Sequence, residues 1–280
     1  IEVQVLGTRI ITGIVGIALA AFIIQTGGWI FSTAVLLLSL GAWFEFARAF
    51  VNKGIKLAYF TGLAMIVLIW GCSWLGNDGE LVAVSVLTVL LVLSHTVFEH
   101  KSFSIEQACV SAAGIFYVGL AFAHLILLRF TGEPAMVSTS LGNLQLGCAW
   151  IWTALIGTWA SDTFAYFTGS LLGRHKLCPE ISPNKTIEGF VGGIIGTMLS
   201  VTGLGVLFSF PLLPMAGLGL CIALVATLGD LVESVIKRAT GIKDSGSLIP
   251  GHGGILDRFD SVMFTVPFVY YFVQIFKIAG

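Results

Sequence analysis

The sequence predicts an all-α, polytopic integral membrane protein of about nine transmembrane helices with a cytoplasmic N-terminus. Three observations predict it. Hydrophobic residues make up 56% of the 280 and charged residues 10%, with a mean hydropathy of +0.97. Soluble domains run at roughly 45–50% apolar and about 25% charged. Apolar runs near the ~20 residues needed to cross a bilayer recur along the whole chain. The basic residues fall on one side of those runs far more often than on the other.

The candidate spans are residues 8–25, 29–50, 57–75, 80–98, 107–129, 146–171, 187–209, 215–237 and 256–277. Ile1 to Arg9 followed by Ile10–Ile24 resembles a signal peptide with Ala18-Leu19-Ala20 as its cleavage site, but many further spans follow, so a retained first helix is expected. Gly27-Gly28, Gly76-Asn77-Asp78-Gly79 and Pro211 to Pro214 mark tight turns. Gly192, Gly193 and Gly196 give span seven a small-residue face for close helix packing. Trp29, Trp74, Trp150 and Trp152 fall near span ends, where amphipathic rings prefer to sit. With the N-terminus inside, twelve of the fourteen Lys and Arg residues are cytoplasmic, and only Arg129 and Lys277 lie outside. Residues 1–145 are expected to form about five scaffold or lipid-access spans and residues 146–280 about four that carry the reactive groups, all in one structural unit. Two cytoplasmic loops, 173–186 and 239–255, are rich in Gly, Pro, Lys and Ser. A net charge of −1 points to no nucleic-acid partner. The five cysteines are scattered, which argues against a disulfide framework or zinc site.

One stretch breaks the apolar pattern. Gly229–Ser261 holds nine charges: Asp230, Glu233, Lys237, Arg238, Lys243, Asp244, Asp257, Arg258 and Asp260. Charges in a membrane chain are costly unless paired or ion-bound, so such a concentration marks function. Asp230, Glu233, Ser234 and Lys237 share one helix face, and Asp257 and Asp260 share another at the start of span nine. Facing each other across adjacent antiparallel spans, the carboxylates of Asp230, Asp257 and Asp260 would make a hard-oxygen site suited to Mg²⁺. The alternative is a set of structural salt bridges with Lys237, Arg238 and Arg258.

Gly251-His252-Gly253-Gly254 after Pro250 offers backbone amides to an anion, with Lys237, Arg238, Lys243 and Arg258 adding positive charge. A polyphosphate site is expected there. No P-loop pattern occurs. Asp162 is an acid inside an apolar span. Ser182, Lys185 and Thr186 open span seven, either as phosphate contacts or, for Ser182 or Thr186, as a helix cap. Glu45 and Arg48 read as a local interfacial pair.

The run from Ser234 through Lys237-Arg238, Lys243-Asp244-Ser245, Pro250-Gly-His-Gly-Gly254 and Asp257-Arg258-Phe-Asp260 resembles the signature of phosphatidate cytidylyltransferases, also called CDP-diacylglycerol synthases. Asp162-Thr-Phe-Ala-Tyr-Phe-Thr-Gly and Ser182-Pro-x-Lys185-Thr-x-Glu188-Gly are similar to that family too. Asn184 departs from it, where a second basic residue is common. The resemblance implies conversion of CTP and phosphatidate to CDP-diacylglycerol and pyrophosphate with Mg²⁺, a second monovalent cation being left open. It implies a homodimer in the bacterial plasma membrane with a cytoplasmic active site. It places Asp230, Asp257 and Asp260 at the metal, with Lys237 and Asp244 also in the catalytic set. It places Asp162, Ser182, Lys185, Thr186, Arg238, Lys243, His252, Gly253, Gly254 and Arg258 at substrate. The other readings are a CTP-dependent polyprenol or lipid kinase, which would release CDP, and a cation-coupled transporter, which would need no nucleotide.

Overall fold

A computed structural model describes residues 2–76, 78–140, 142–248 and 253–278. It is helical nearly throughout, as expected of a polytopic membrane protein. The helices are α1 (Glu2–Thr26), α2 (Gly28–Asn52), α3 (Tyr59–Leu75), α4 (Asp78–Phe98), α5 (Ile105–Ile115), α6 (Ala121–Arg129), α7 (Leu146–Leu172), α8 (Ile187–Leu207), α9 (Leu212–Thr240), α10 (Leu256–Phe259) and α11 (Val262–Phe276). A π-helical turn, Phe116–Leu120, joins α5 to α6 in one rod. The first eight predicted spans fall on helix but for a residue or two at their ends. Among the described residues five segments, Gly28–Asn52, Gly79–Phe98, Ile105–Arg129, Ile187–Leu207 and Leu212–Thr240, are long and apolar enough to cross a membrane.

Packing divides the chain into two compact units. The first joins residues up to Leu127 with Lys237–Phe259; the second joins Leu128–Ile236 with the residues from Asp260 on. The division does not follow the chain at residue 145.

In the first unit α2 is the buried centre. Trp43 is fully buried, and its indole N–H donates to the Tyr59 carbonyl at 3.1 Å. Gly62 on α3 leaves room for that ring, because any Cβ there would overlap it. Trp70 donates to the Ser32 carbonyl at 2.8 Å, and Trp29 packs on Trp74 with ring centres 4.7 Å apart. Ser104 and Gln107 close a capping box at the start of α5.

In the second unit α7 and α8 pack closely through the predicted small-residue face. A Cβ on Gly193 would meet the Ser161 carbonyl oxygen at 3.1 Å, and side chains at Gly192 and Gly196 would overlap Thr168 and Phe164. Gly196→Leu is therefore expected to destabilise the protein by about 1–3 kcal/mol or more through overpacking. A lowered thermal midpoint in detergent would show it, and an unchanged midpoint would count against the packing. Thr158 and Thr265 hydroxyls meet at 2.8 Å and tie α7 to α11.

The structure corrects three expectations. The predicted ninth span is not one helix: it breaks after Phe259, and α11 carries Pro267 inside it. Proline removes an amide donor from the helical ladder, and at the break the Ser261 amide turns to the Asp260 carboxylate at 2.6 Å. Asp257 and Asp260 thus do not share one helix face. Trp150 does not present its ring to the surface; it is fully buried and stacks on Phe210 at 4.4 Å. Two short antiparallel hairpins were not foreseen: β1 (Met136–Thr139) with β2 (Gly142–Gln145), and β3 (Lys176–Cys178) with β4 (Ser182–Thr186).

Candidate active site

The second unit brings together Asp162, Lys185 and Asp230. The apolar run of α9 carries Asp230 half-buried near its C-terminal third. The ammonium of Lys185, at the end of β4, sits 2.6 Å from Asp230 Oδ2. The close contact of α7 with α8 sets Asp162 where the charges of both Asp230 and Lys185 act on it. Ser234 donates to Asp230 Oδ1 at 3.5 Å from one turn along α9. Gly229 lets the chain at Asp260 approach this turn of α9: a Cβ there would lie 2.7 Å from the Asp260 carbonyl oxygen and 3.0 Å from Ser261 Cα. Asp260 is thereby packed beside the residue preceding Asp230.

The segment leading into α8 is clasped locally. Thr186 is the N-cap of α8 and accepts from the Gly189 amide at 3.1 Å, the capping role the sequence had raised. Glu188 accepts from the amides of Arg174 and His175 at 3.0 and 3.2 Å and pairs with the His175 ring at 2.6 Å. Ser182 begins β4 opposite Cys178. These contacts fix the hairpin that presents Lys185.

The first unit holds the rest of the signature. The helix α9 ends in a glycine cap: Gly241 has φ +73°, the Gly241 amide donates to the Arg238 carbonyl at 3.3 Å, and the Ile242 amide to the Lys237 carbonyl at 3.1 Å. Lys237 and Arg238 occupy the last turn, where the negative end of the helix dipole favours cations. Asp257 is the hub of the loop that follows. Its carboxylate accepts from Lys237 Nζ at 3.1 Å, from the Ser245 amide at 3.0 Å and from the Gly254 amide at 2.9 Å. The expected amide donor of Gly254 is thus turned toward a carboxylate of its own loop. Gly253 adopts φ +87°, a conformation that favours glycine. Arg238, Lys243, Asp244 and Arg258 are exposed. His252, with Pro250 and Gly251, lies outside the described residues.

Sequence reasoning missed one residue. Glu45 on α2 is not paired locally; it is 2% exposed, whereas Arg48 points outward. Glu45 Oε2 accepts from the Leu256 amide at 3.0 Å and from the Ser245 hydroxyl at 3.4 Å. One turn earlier, Gly41 makes room for Ile255, whose Cδ1 lies 2.5 Å from where a Cβ would stand. The available signal was a carboxylate deep in an apolar span with a glycine four residues before it.

Among the described residues, no group of three or more His, Cys, Asp and Glu side chains is gathered to hold a metal by itself. Mg²⁺ rarely takes an all-protein cage; it uses one or two carboxylates plus substrate phosphates and water. Asp230 pairs with the Lys185 ammonium, and Asp162 is a second hard-oxygen donor within reach of both charges. That set keeps a negative remainder and fits a hard cation.

A sequence model of the cytidylyltransferase family matches residues 7–276. The chain is 34% identical over 96% of its length to a phosphatidate cytidylyltransferase of Bacillus subtilis, covering 98% of that protein. It is 40% identical to one of a Synechocystis species, covering 95% of each chain. A third, from Staphylococcus saprophyticus, is 35% identical over 92% of this chain and 95% of its own.

Proposed function

We propose, given that the chain belongs to the cytidylyltransferase family, that it is a phosphatidate cytidylyltransferase of phospholipid biosynthesis. What carries the reading is likeness over nearly the whole chain to relatives of that name. The cluster of Asp162, Lys185 and Asp230 is chemically suited to the reaction.

In the proposed reaction a phosphate oxygen of phosphatidate attacks the α-phosphorus of CTP. The bond from that phosphorus to the β-phosphate oxygen breaks, and pyrophosphate leaves with the electron pair. A phosphomonoester with a second pKa near 6 is largely a dianion at pH 7, so no strong general base is required. Charge neutralisation and in-line positioning are required instead. Asp162, Asp230 and Asp260 of the second unit would hold Mg²⁺; Asp257, which the signature also implies as a ligand, lies in the first unit. Mg²⁺, when bound, supplies charge neutralisation and a template for the triphosphate. Lys185 is oriented by Asp230 and offers its ammonium to phosphate. Lys237, Arg238, Lys243 and Arg258 supply positive charge to phosphate oxygens, and Asp244 belongs to the same signature. The nucleotide would arrive from the cytoplasm and the lipid from the bilayer. Nine spans, a cytoplasm-facing site in a bacterial plasma membrane, and a homodimer complete the proposal.

The test is incubation of the purified protein with CTP labelled at the α-phosphate, phosphatidate and Mg²⁺. Label in the lipid fraction with release of pyrophosphate is expected. Label recovered as soluble CDP would mean a kinase and would overturn the proposal. Chelating divalent cations with EDTA is expected to stop lipid labelling, and excess Mg²⁺ to restore it. Labelling that persists in chelator would remove the divalent ion from the mechanism.

A further inference from the structure

We infer that Glu45, on the second helix, is a positioning residue for nucleotide binding, acting through the loop that contains Ser245, Gly254 and Asp257. This inference rests on the cytidylyltransferase reading. Its basis is a contact between residues 200 and 211 positions apart in sequence. Glu45 Oε2 accepts from Ser245 Oγ at 3.4 Å and from the Leu256 amide at 3.0 Å. Ser245 and Asp257 then hold each other: the Asp257 amide donates to Ser245 Oγ at 3.3 Å, and the Ser245 amide donates to Asp257 Oδ2 at 3.0 Å. Asp257 in turn carries Lys237. One buried carboxylate on α2 thus fixes both strands of the loop, and the loop fixes an acid and a lysine of the signature.

The loop glycines fit this role. A Cβ on Gly254 would come within 2.6 Å of Glu45 Oε2, and one on Gly246 would overlap the same carboxylate. Both positions need glycine so that Glu45 can approach the backbone. The glycine content of this loop therefore serves anchoring as well as any contact with phosphate.

The atoms involved decide how the variants behave. The bonds from Ser245 and Leu256 both fall on Oε2, while Oε1 is buried with no hydrogen-bond partner among the described residues. Glutamine keeps an accepting oxygen in the place of Oε2, and alanine does not. In the full-length protein, Glu45→Ala is expected to raise KM for CTP about tenfold or more, the scale of one hydrogen bond to a charged group. The kcat is expected to change much less. Glu45→Gln is expected to leave both close to the parent values. Hydrogen exchange followed by mass spectrometry is expected to quicken in peptides covering 243–258 for Glu45→Ala, with peptides covering 162–172 unaffected. Should Glu45→Ala fail to fold, Ser245→Ala removes only the bridging hydroxyl and is expected to quicken the same exchange. The inference is overturned if glutamine is as damaging as alanine, since the charge and not the acceptor would then matter. It is equally overturned by loop exchange that stays at the parent rate, or by a fall in kcat at constant KM. If the parent makes no CDP-diacylglycerol, the cytidylyltransferase reading fails, while the exchange measurement still decides whether Glu45 holds the loop.

Discussion

Asp230→Asn is expected to lower CDP-diacylglycerol formation by about 10²–10³-fold, the usual cost of removing a group that stabilises developing charge, while the protein stays folded in detergent. The carboxylate sits 2.6 Å from the Lys185 ammonium and shares its charge field with Asp162. Asparagine nearly matches it in shape but removes its charge from both the ammonium and any cation held there. Lys185→Ala should be costly by the same route. Combining the two should cost less than the sum of the single losses, because residues that act as a unit are not additive. Steady-state kcat/KM of the three variants, with gel filtration to check folding, makes the comparison. Activity of Asp230→Asn within a few-fold of the parent would sink the role given to this cluster.

Asp257→Asn should behave differently, and the difference is diagnostic. Its carboxylate accepts from two backbone amides and from Lys237. An asparagine there must aim its NH₂ group at one of those donors, leaving a donor facing a donor. Each polar group left unsatisfied costs about 1–3 kcal/mol. Loss of lipid labelling is expected together with a lowered thermal midpoint, whereas Asp230→Asn is expected to lose activity with little change in midpoint. Parent-like activity, or a midpoint unchanged for Asp257→Asn, would refute the view of Asp257 as the hub of the loop.

The helices were legible because nothing else in the chain could explain apolar runs of this length. Asp162 and Asp230 were legible because polar residues within an apolar background announce themselves, and Lys185 because it opens an apolar span. The cap at Thr186 was readable as a local pattern of Thr, then Glu188 and Gly189. What escaped had partners far along the chain. The neighbour of Glu45 in sequence is Arg48, three residues on, and local spacing suggested that pair; the actual partners are Ser245 and Leu256. The break at Asp260 and Ser261 escaped because Asp257 and Asp260 stand at the i, i+3 spacing of one helix face, and only Pro267 hinted at an irregular helix. The hairpin of Met136–Thr139 with Gly142–Gln145 is too short to stand out beside 25-residue helices.

The link from α2 to the loop has a consequence for how the protein is made. Chains grow from the N-terminus at roughly 5–20 residues per second. Ser245 emerges 200 residues after Glu45, and Leu256 emerges 211 after it. The second helix therefore spends roughly 10–40 seconds of synthesis at that rate before the Ser245 and Leu256 donors of its acid exist. The second helix cannot complete its packing until the segment that holds Ser245 and Leu256 exists. Biogenesis of this enzyme thus includes a waiting period. A chain stopped before residue 245 lacks both donors of the Glu45 carboxylate.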